Sequence, residues 1–222
     1  MIDAFSRLRA GHHTVLRAAA LAAAMLAAGC SLLRAAPDRS RYFVISSSGT
    51  SAVTSRGRSD IHFGLGPVKL PGYLDTQNIV RMGAGGSVEY VPDAFWAESV
   101  KDSFSRALLY RTGSRIGTGH AVAYPWYSTT RVDFKVPVDV LRFEATSDGR
   151  AVLDARWSVE VAATGAVIAG TESVFEEPAG NDPASIVEAL NRCIDRLADA
   201  IAAAVASAPP APSAAPARSP RR

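Results

Sequence analysis

One cysteine in this 222-residue chain stands in a context suited to covalent chemistry. Cys30 closes the run Leu26-Ala27-Ala28-Gly29-Cys30 and is followed by Ser31. The thiolate is the nucleophilic form of cysteine, and small residues ahead of it let the backbone enter a signal peptidase as an extended strand. Upstream, Arg7, Arg9 and Arg17 form a positive segment, and Ala18 to Ala28 is an apolar run too short to span a bilayer. The pattern resembles a bacterial lipobox. It predicts removal of residues 1–29 and attachment of lipid, palmitate-type acyl chains, to Cys30 as the new first residue. One acyl chain holds a protein only marginally, at about 0.8 kcal/mol per buried CH₂, but the three chains of a mature lipoprotein make a permanent anchor. Ala27 stands where lipoboxes usually carry Leu, with Leu26 one residue earlier. Ordinary cleavage after Ala-x-Ala is the competing reading.

The other reactive side chains are sparse. Of four histidines, His12 and His13 leave with the signal, and His62 and His120 are too few for a histidine-based metal site. There is no H-E-x-x-H helix and no CxxC pair, so neither a metal nor any cofactor besides the covalent lipid is expected. A Ser-His-Asp arrangement through His62 or His120 requires a spatial meeting that no local motif announces, since G-x-S-x-G is absent. Gly64-x-Gly66 and Gly83 to Gly86 echo phosphate loops, but neither sits between a strand and a helix and no Walker lysine follows. Cys193 falls between Leu190, Ile194 and Leu197 on the apolar side of a predicted helix, which reads as a buried thiol without an internal disulfide partner. Binding, not catalysis, is the expected work.

About 190 residues remain after the signal, enough for one domain with a sizeable core. The formal charge of +3 overstates basic character, because arginines depart with the signal and Arg218, Arg221 and Arg222 cluster at the end. A near-neutral body without an Arg/Lys stripe, exported through a membrane, argues against nucleic acid.

The elements that must position any site follow from periodicity. Residues 30–41 read as a tether, 42–207 as the domain and 208–222 as a disordered Pro/Ala-rich basic tail. Tyr42 to Ile45 is a short β-type run, followed by a Ser/Gly/Arg-rich surface loop to about Ser59. Ile61, Phe63 and Leu65 alternate with polar or small residues, and the parity shifts at Gly66-Pro67 as at a bulge. Asn78 to Met82 and Ser87 to Val91 flank a glycine turn and predict a hairpin. Asp93 is read as the N-cap of a helix whose stripe is Trp96, Val100, Phe104, Ala107 and Leu108, ending near Gly113. A long strand runs from Arg131 through Phe143 with a parity change at Leu141. Asp148-Gly149 and Thr164-Gly165 turn it into a three-stranded meander. Asp182-Pro183 opens a last helix with the stripe Ile186, Leu190, Ile194, Leu197, Ile201 and Val205. The expected class is α+β, an α/β sandwich with a mixed, largely antiparallel sheet covered by two main amphipathic helices.

The run Leu65-Gly66-Pro67-Val68-Lys69-Leu70-Pro71-Gly72-Tyr73-Leu74-Asp75, with Asn78-Ile79-Val80, resembles a signature of the ABC-type transport auxiliary lipoproteins of the Pqi type. Phe95-Trp96-Ala97-Glu98, Tyr124-Pro125-Trp126 and Val138 to Phe143 match in order and spacing. The resemblance implies a periplasmic lipoprotein that docks, as an accessory, onto an MCE-domain protein of an intermembrane lipid transport system. Ser31 after the cysteine matches the outer-membrane address of such lipoproteins. A homo-oligomer is compatible with this role. Leu70, Pro71, Tyr73, Leu74 and Asp75, with Tyr73 and Leu74 expected at the surface, are the candidate partner-binding residues. Pro67, Pro71 and Gly72 also suit a kinked strand, and Trp96, Trp126 and Trp157 suit packing better than ligand contact. The arginines of the tail read as a solvated end, with contact to anionic lipid headgroups or cell-wall polymer as the competing reading. A stand-alone structural lipoprotein of the envelope is the rival function, and a periplasmic hydrolase the more distant one.

Overall fold

The computed structural model describes residues 37–47, 58–127 and 129–208. The signal, Cys30, residues 48–57 and the tail from residue 209 lie outside the described residues. The chain divides into two compact units, Met1–Arg39 and Ser40–Arg222, and the fold described is that of the second.

Strand β6 (Phe134–Thr146) is the axis of an eight-stranded sheet. Its alternation puts Phe134, Val136, Val138 and Val140 into the core, and the expected parity change falls at a register shift between Val140 and Arg142. One edge of β6 carries the antiparallel meander of β7 (Arg150–Val161) and β8 (Val167–Pro178). Asp148 and Gly149 make the first turn, with Gly149 at φ 78°, a left-handed conformation that glycine adopts without steric cost. The other edge is shared end to end by two parallel strands, β2 (His62–Lys69) and β3 (Asn78–Met82). Beyond β2 lies the short edge strand β5 (His120–Ala123). Beyond β3 lie β4 (Val88–Trp96) and then β1 (Arg41–Phe43). The sheet is mixed, and its long ladders are antiparallel, as expected.

Helices α1 (Val100–Ile116) and α2 (Pro183–Ser207) cover one face. The stripe predicted for α2 is buried throughout, and Asp182 caps its start by accepting from the backbone N–H groups of Ala184 and Ser185. Cys193 is buried there with no disulfide partner among the described residues, its thiol pushed up to about 12 by desolvation.

Helix α1 departs from expectation. It starts at Val100, capped by the Ser99 side chain, and not at Asp93. Residues 94–96 are held as strand because they pair with residues 41–43 of β1, and Phe95 also pairs with Asn78. Asp93 takes φ 54° in the bulge that this double pairing imposes. Trp96 therefore enters the core from a strand and only imitates helical spacing. The helix also runs past Gly113, a glycine that admits β5 alongside: a Cβ there would lie 3.0 Å from the Cβ of Ala121. Gly117, at φ 77°, closes it, donating to the carbonyls of Gly113 and Ser114. The four residues of β5 were too short to read from alternation.

A buried cation ties the helices together. Arg111 is 2% exposed; it donates to the Asn191 carbonyl at 2.7 Å and to the Ser46 carbonyl, and lies 3.4 Å from the Asp195 carboxylate. Burial lowers the guanidinium below its ordinary value and Asp195 opposes that shift. Removing one member of such a cluster strands the others in a dry interior. Arg111→Ala is expected to lower the unfolding free energy by about 3–5 kcal/mol in urea titrations at neutral pH.

Candidate functional site

Strands β2 and β3 would form one continuous strand along β6 but for the segment between them. From the Lys69–Asp139 pairing to the Arg81–Ala145 pairing, this edge advances twelve residues while β6 advances six. The surplus leaves the sheet at Leu70 as an excursion and returns at Asn78. Pro71 and Gly72 set a single turn of 3-10 helix over Gly72–Leu74, closed by Leu74 N–H to Pro71 O and Asp75 N–H to Gly72 O, each at 3.1 Å. The second half of the sequence signature, Leu70 to Asp75, falls within the sheet interruption.

Such a gap leaves backbone groups of β6 without a strand partner, and a buried backbone group must be satisfied by something. Glu144 supplies the acceptor. Its side chain is fully buried, and it accepts from the backbone N–H of Phe143 at 2.9 Å, from the Tyr73 hydroxyl at 2.6 Å and from Arg142 Nε at 2.8 Å. Desolvation, then the bond to Glu144, pushes the Tyr73 phenol above its ordinary range, so it stays a donor.

The far side of the excursion faces the start of α1. Between them lies an open groove of about 600 Å³ lined by Leu70, Pro71, Leu74, Asp75, Glu98 and Lys101, among others. Glu98 is paired with Arg106, whose hydrogen bond holds the carboxyl below its usual range. Asp75 and Lys101 are exposed and have no ion partner among the described residues. Lys101 also borders a second groove of about 550 Å³ walled by Pro67, Arg106, Tyr110, Tyr124 and Pro125. There Gly66, at φ 119°, is required: a Cβ would come within 2.6 Å of the Tyr124 Cβ.

The expected binding residues thus divide. Leu70, Pro71 and Asp75 line the groove from partly or fully exposed positions. Leu74, expected at the surface, is buried because the turn tucks it under α1 as part of the core. Tyr73 is half-buried and bonded to Glu144 rather than presented to a partner. Sequence reasoning missed Glu144 and Lys101; a glutamate next to the parity change of a core strand was the available signal. Cys30 lies outside the described residues. Trp96 and Trp157 are buried, Trp157 donating to Ser173 Oγ at 3.1 Å, while Trp126 rests on Gly64 and meets Tyr124 edge to face.

His62 and His120 do meet, stacked at 4.4 Å between ring centres, and Asp133 lies 3.3 Å from His62 Nδ1. Among the described residues no serine is bonded to either imidazole, and no group of three metal-ligating side chains is assembled. The described helices include none long and apolar enough to cross a membrane.

The family described as ABC-type transport auxiliary lipoprotein component matches residues 43–202. The chain belongs to that family. Its members are auxiliary lipoprotein components of transport systems, in line with the resemblance carried by the 65–75 signature. No curated protein matches the chain. Among solved structures, an uncharacterized protein superposes with a TM-score of 0.61 at 16% identity, covering 75% of this chain and 98% of that one. A Xanthomonas campestris protein gives 0.56 at 16% identity, covering 72% and 91%. At these identities the likeness establishes the fold alone.

Removing the hydroxyl that faces Glu144 tests the plug in the sheet. Tyr73→Phe should cost about 1–3 kcal/mol by urea titration at pH 7, the loss of one hydrogen bond to a buried carboxylate. A phenol raised by folding contributes stability below its unfolded value of about 10 and loses that contribution as pH rises beyond it. The difference between wild type and Tyr73→Phe should therefore shrink above pH 10, read from thermal melts in borate and carbonate buffers.

Proposed function

We propose that this chain is a lipid-anchored, periplasmic docking component of an MCE-type intermembrane lipid transport system, held at the outer membrane through acylated Cys30 and acting by binding without catalysis. The family match over residues 43–202 carries this reading. The structure supports it with a recognition surface of suitable form: a groove built by the family-like segment itself and flanked by the charges of Asp75 and Lys101, which have no ion partner among the described residues. Charged groups at the rim of a concave apolar site select and orient a partner, while the apolar floor of Leu70 and Val100 supplies contact area. The lipobox-like pattern ending at Cys30 supports the anchor and the compartment of this reading.

Tyr73 and Leu74 are poor probes of binding, because their substitution disturbs the sheet. The surface pair is better. In detergent-solubilised membranes, C-terminally tagged wild type should co-purify an MCE-domain protein and carry an acylated Cys30 by mass spectrometry. Asp75→Lys with Lys101→Glu should reduce that recovery at least about tenfold, equivalent to 1.4 kcal/mol of interface energy. Glu188→Lys on the exposed side of α2 should leave it unchanged. Acylation with no transport partner would select the stand-alone envelope lipoprotein, and an unmodified Cys30 would remove the anchor.

A further inference from the structure

The face of the sheet away from the helices changes character from one side to the other. On β7 and β8 it is ion-paired, with Arg156 to Glu172 at 2.6 Å and Arg150 to Glu176 at 2.9 Å. On β1 and β4 it presents the uncharged side chains of Tyr42, Val88, Tyr90 and Phe95, with Asp93 in the bulge between the last two. Register places the residues concerned on one face: Phe95 pairs with Asn78, Tyr90 with Val80 and Val88 with Met82, and positions 78, 80 and 82 of β3 share a side. Tyr42 pairs with Phe95 across β1 and their rings lie 5.6 Å apart. Val44 continues that side, alternating with Phe43 and Ile45, which join the core. Their exposure is high for apolar side chains: Tyr42 66%, Tyr90 55%, Val44 53% and Val88 42%. A contiguous uncovered patch of this kind marks an interaction surface.

We infer that this β1–β4 face rests on the headgroup region of the membrane that holds the Cys30 anchor. The inference rests on the anchor reading above and adds to it an orientation. Three observations select lipid as the occupant. The tether enters the fold at this patch, with Tyr42 the second residue of β1. Ten residues separate Cys30 from Arg41, and the eleven Cα steps reach at most about 40 Å, which keeps β1 within one domain diameter of the bilayer. The side chains are tyrosines with valine and phenylalanine, an amphipathic set suited to the boundary between acyl chains and water.

The anchored full-length protein offers a clean labelling scheme, because Cys30 is acylated and Cys193 is buried. Single cysteines introduced as Val44→Cys, Tyr90→Cys and, on the opposite layer, Glu188→Cys would carry an NBD fluorophore. The labelled proteins would be reconstituted into phosphatidylethanolamine/phosphatidylglycerol vesicles with and without brominated acyl chains. Quenching by bromine at positions 44 and 90 should be at least about twice that at 188, since these labels sit at the interface and 188 stands in water. Flotation with the vesicles but equal quenching at the three positions would overturn the orientation and leave the anchor intact. Emission at 44 and 90 that follows protein density and ignores bromine would also overturn it, assigning the face to a second copy of the chain. Failure to float would overturn the anchor reading and the orientation with it.

Discussion

A carboxylate with no exposure to solvent sits where the central sheet has a gap, and the arrangement of this domain depends on it. Strand β6 needs hydrogen-bond partners along both edges. The second edge is interrupted because the chain spends six surplus residues between β2 and β3. Glu144 answers the orphaned Phe143 N–H from within its own strand, and Tyr73 and Arg142 answer the carboxylate. Without that closed circuit the excursion would expose backbone donors at the middle of the sheet, a cost of the order of a lost hydrogen bond for each one. With it, a surface loop is held by the core and keeps a fixed shape against the first turn of α1.

The groove follows from this arrangement. Leu74 fixes the excursion from below, and Ser99 fixes the start of α1 by capping it, so both walls are set by buried or hydrogen-bonded groups rather than by one another. The Arg111 cluster then fixes α1 against α2 from behind. A groove formed between rigid elements holds the backbones of Asp75 and Lys101 at constant spacing, so little ordering entropy would be lost on binding at the proposed site.

Much of this was legible in the chain because the relevant forces are local. Alternation in β6 and β7, the Asp-Gly turn, and the Asp-Pro start of α2 each record a backbone preference or a burial pattern that no distant residue overrides. Asp93 was misread because its carboxyl and the apolar residues after it satisfy helix rules, while the pairing with β1 that holds Ala94, Phe95 and Trp96 extended comes from residues about fifty positions away. Leu74 and Tyr73 were misread for a related reason. A Pro-Gly segment announces departure from a strand, but not which side chains the excursion returns to the core. Nor does the position of Glu144 in sequence reveal that the strand beside it stops.

The two surfaces of the domain are joined by very little chain. Phe95, on the apolar face, is three residues from Glu98, which lines the groove, and between them Trp96 is buried in the core. Strand β4 is itself clamped on both edges, by β1 and by β3, so its end has no freedom to swing. A domain whose β1–β4 face meets a membrane would therefore hold the groove at a fixed angle to that membrane. Such a fixed angle is what a docking component would require and a flexible tether could not give: the proposed lipid anchor would set the distance from the bilayer, and the rigid passage from β4 into α1 would set the direction in which a partner must approach.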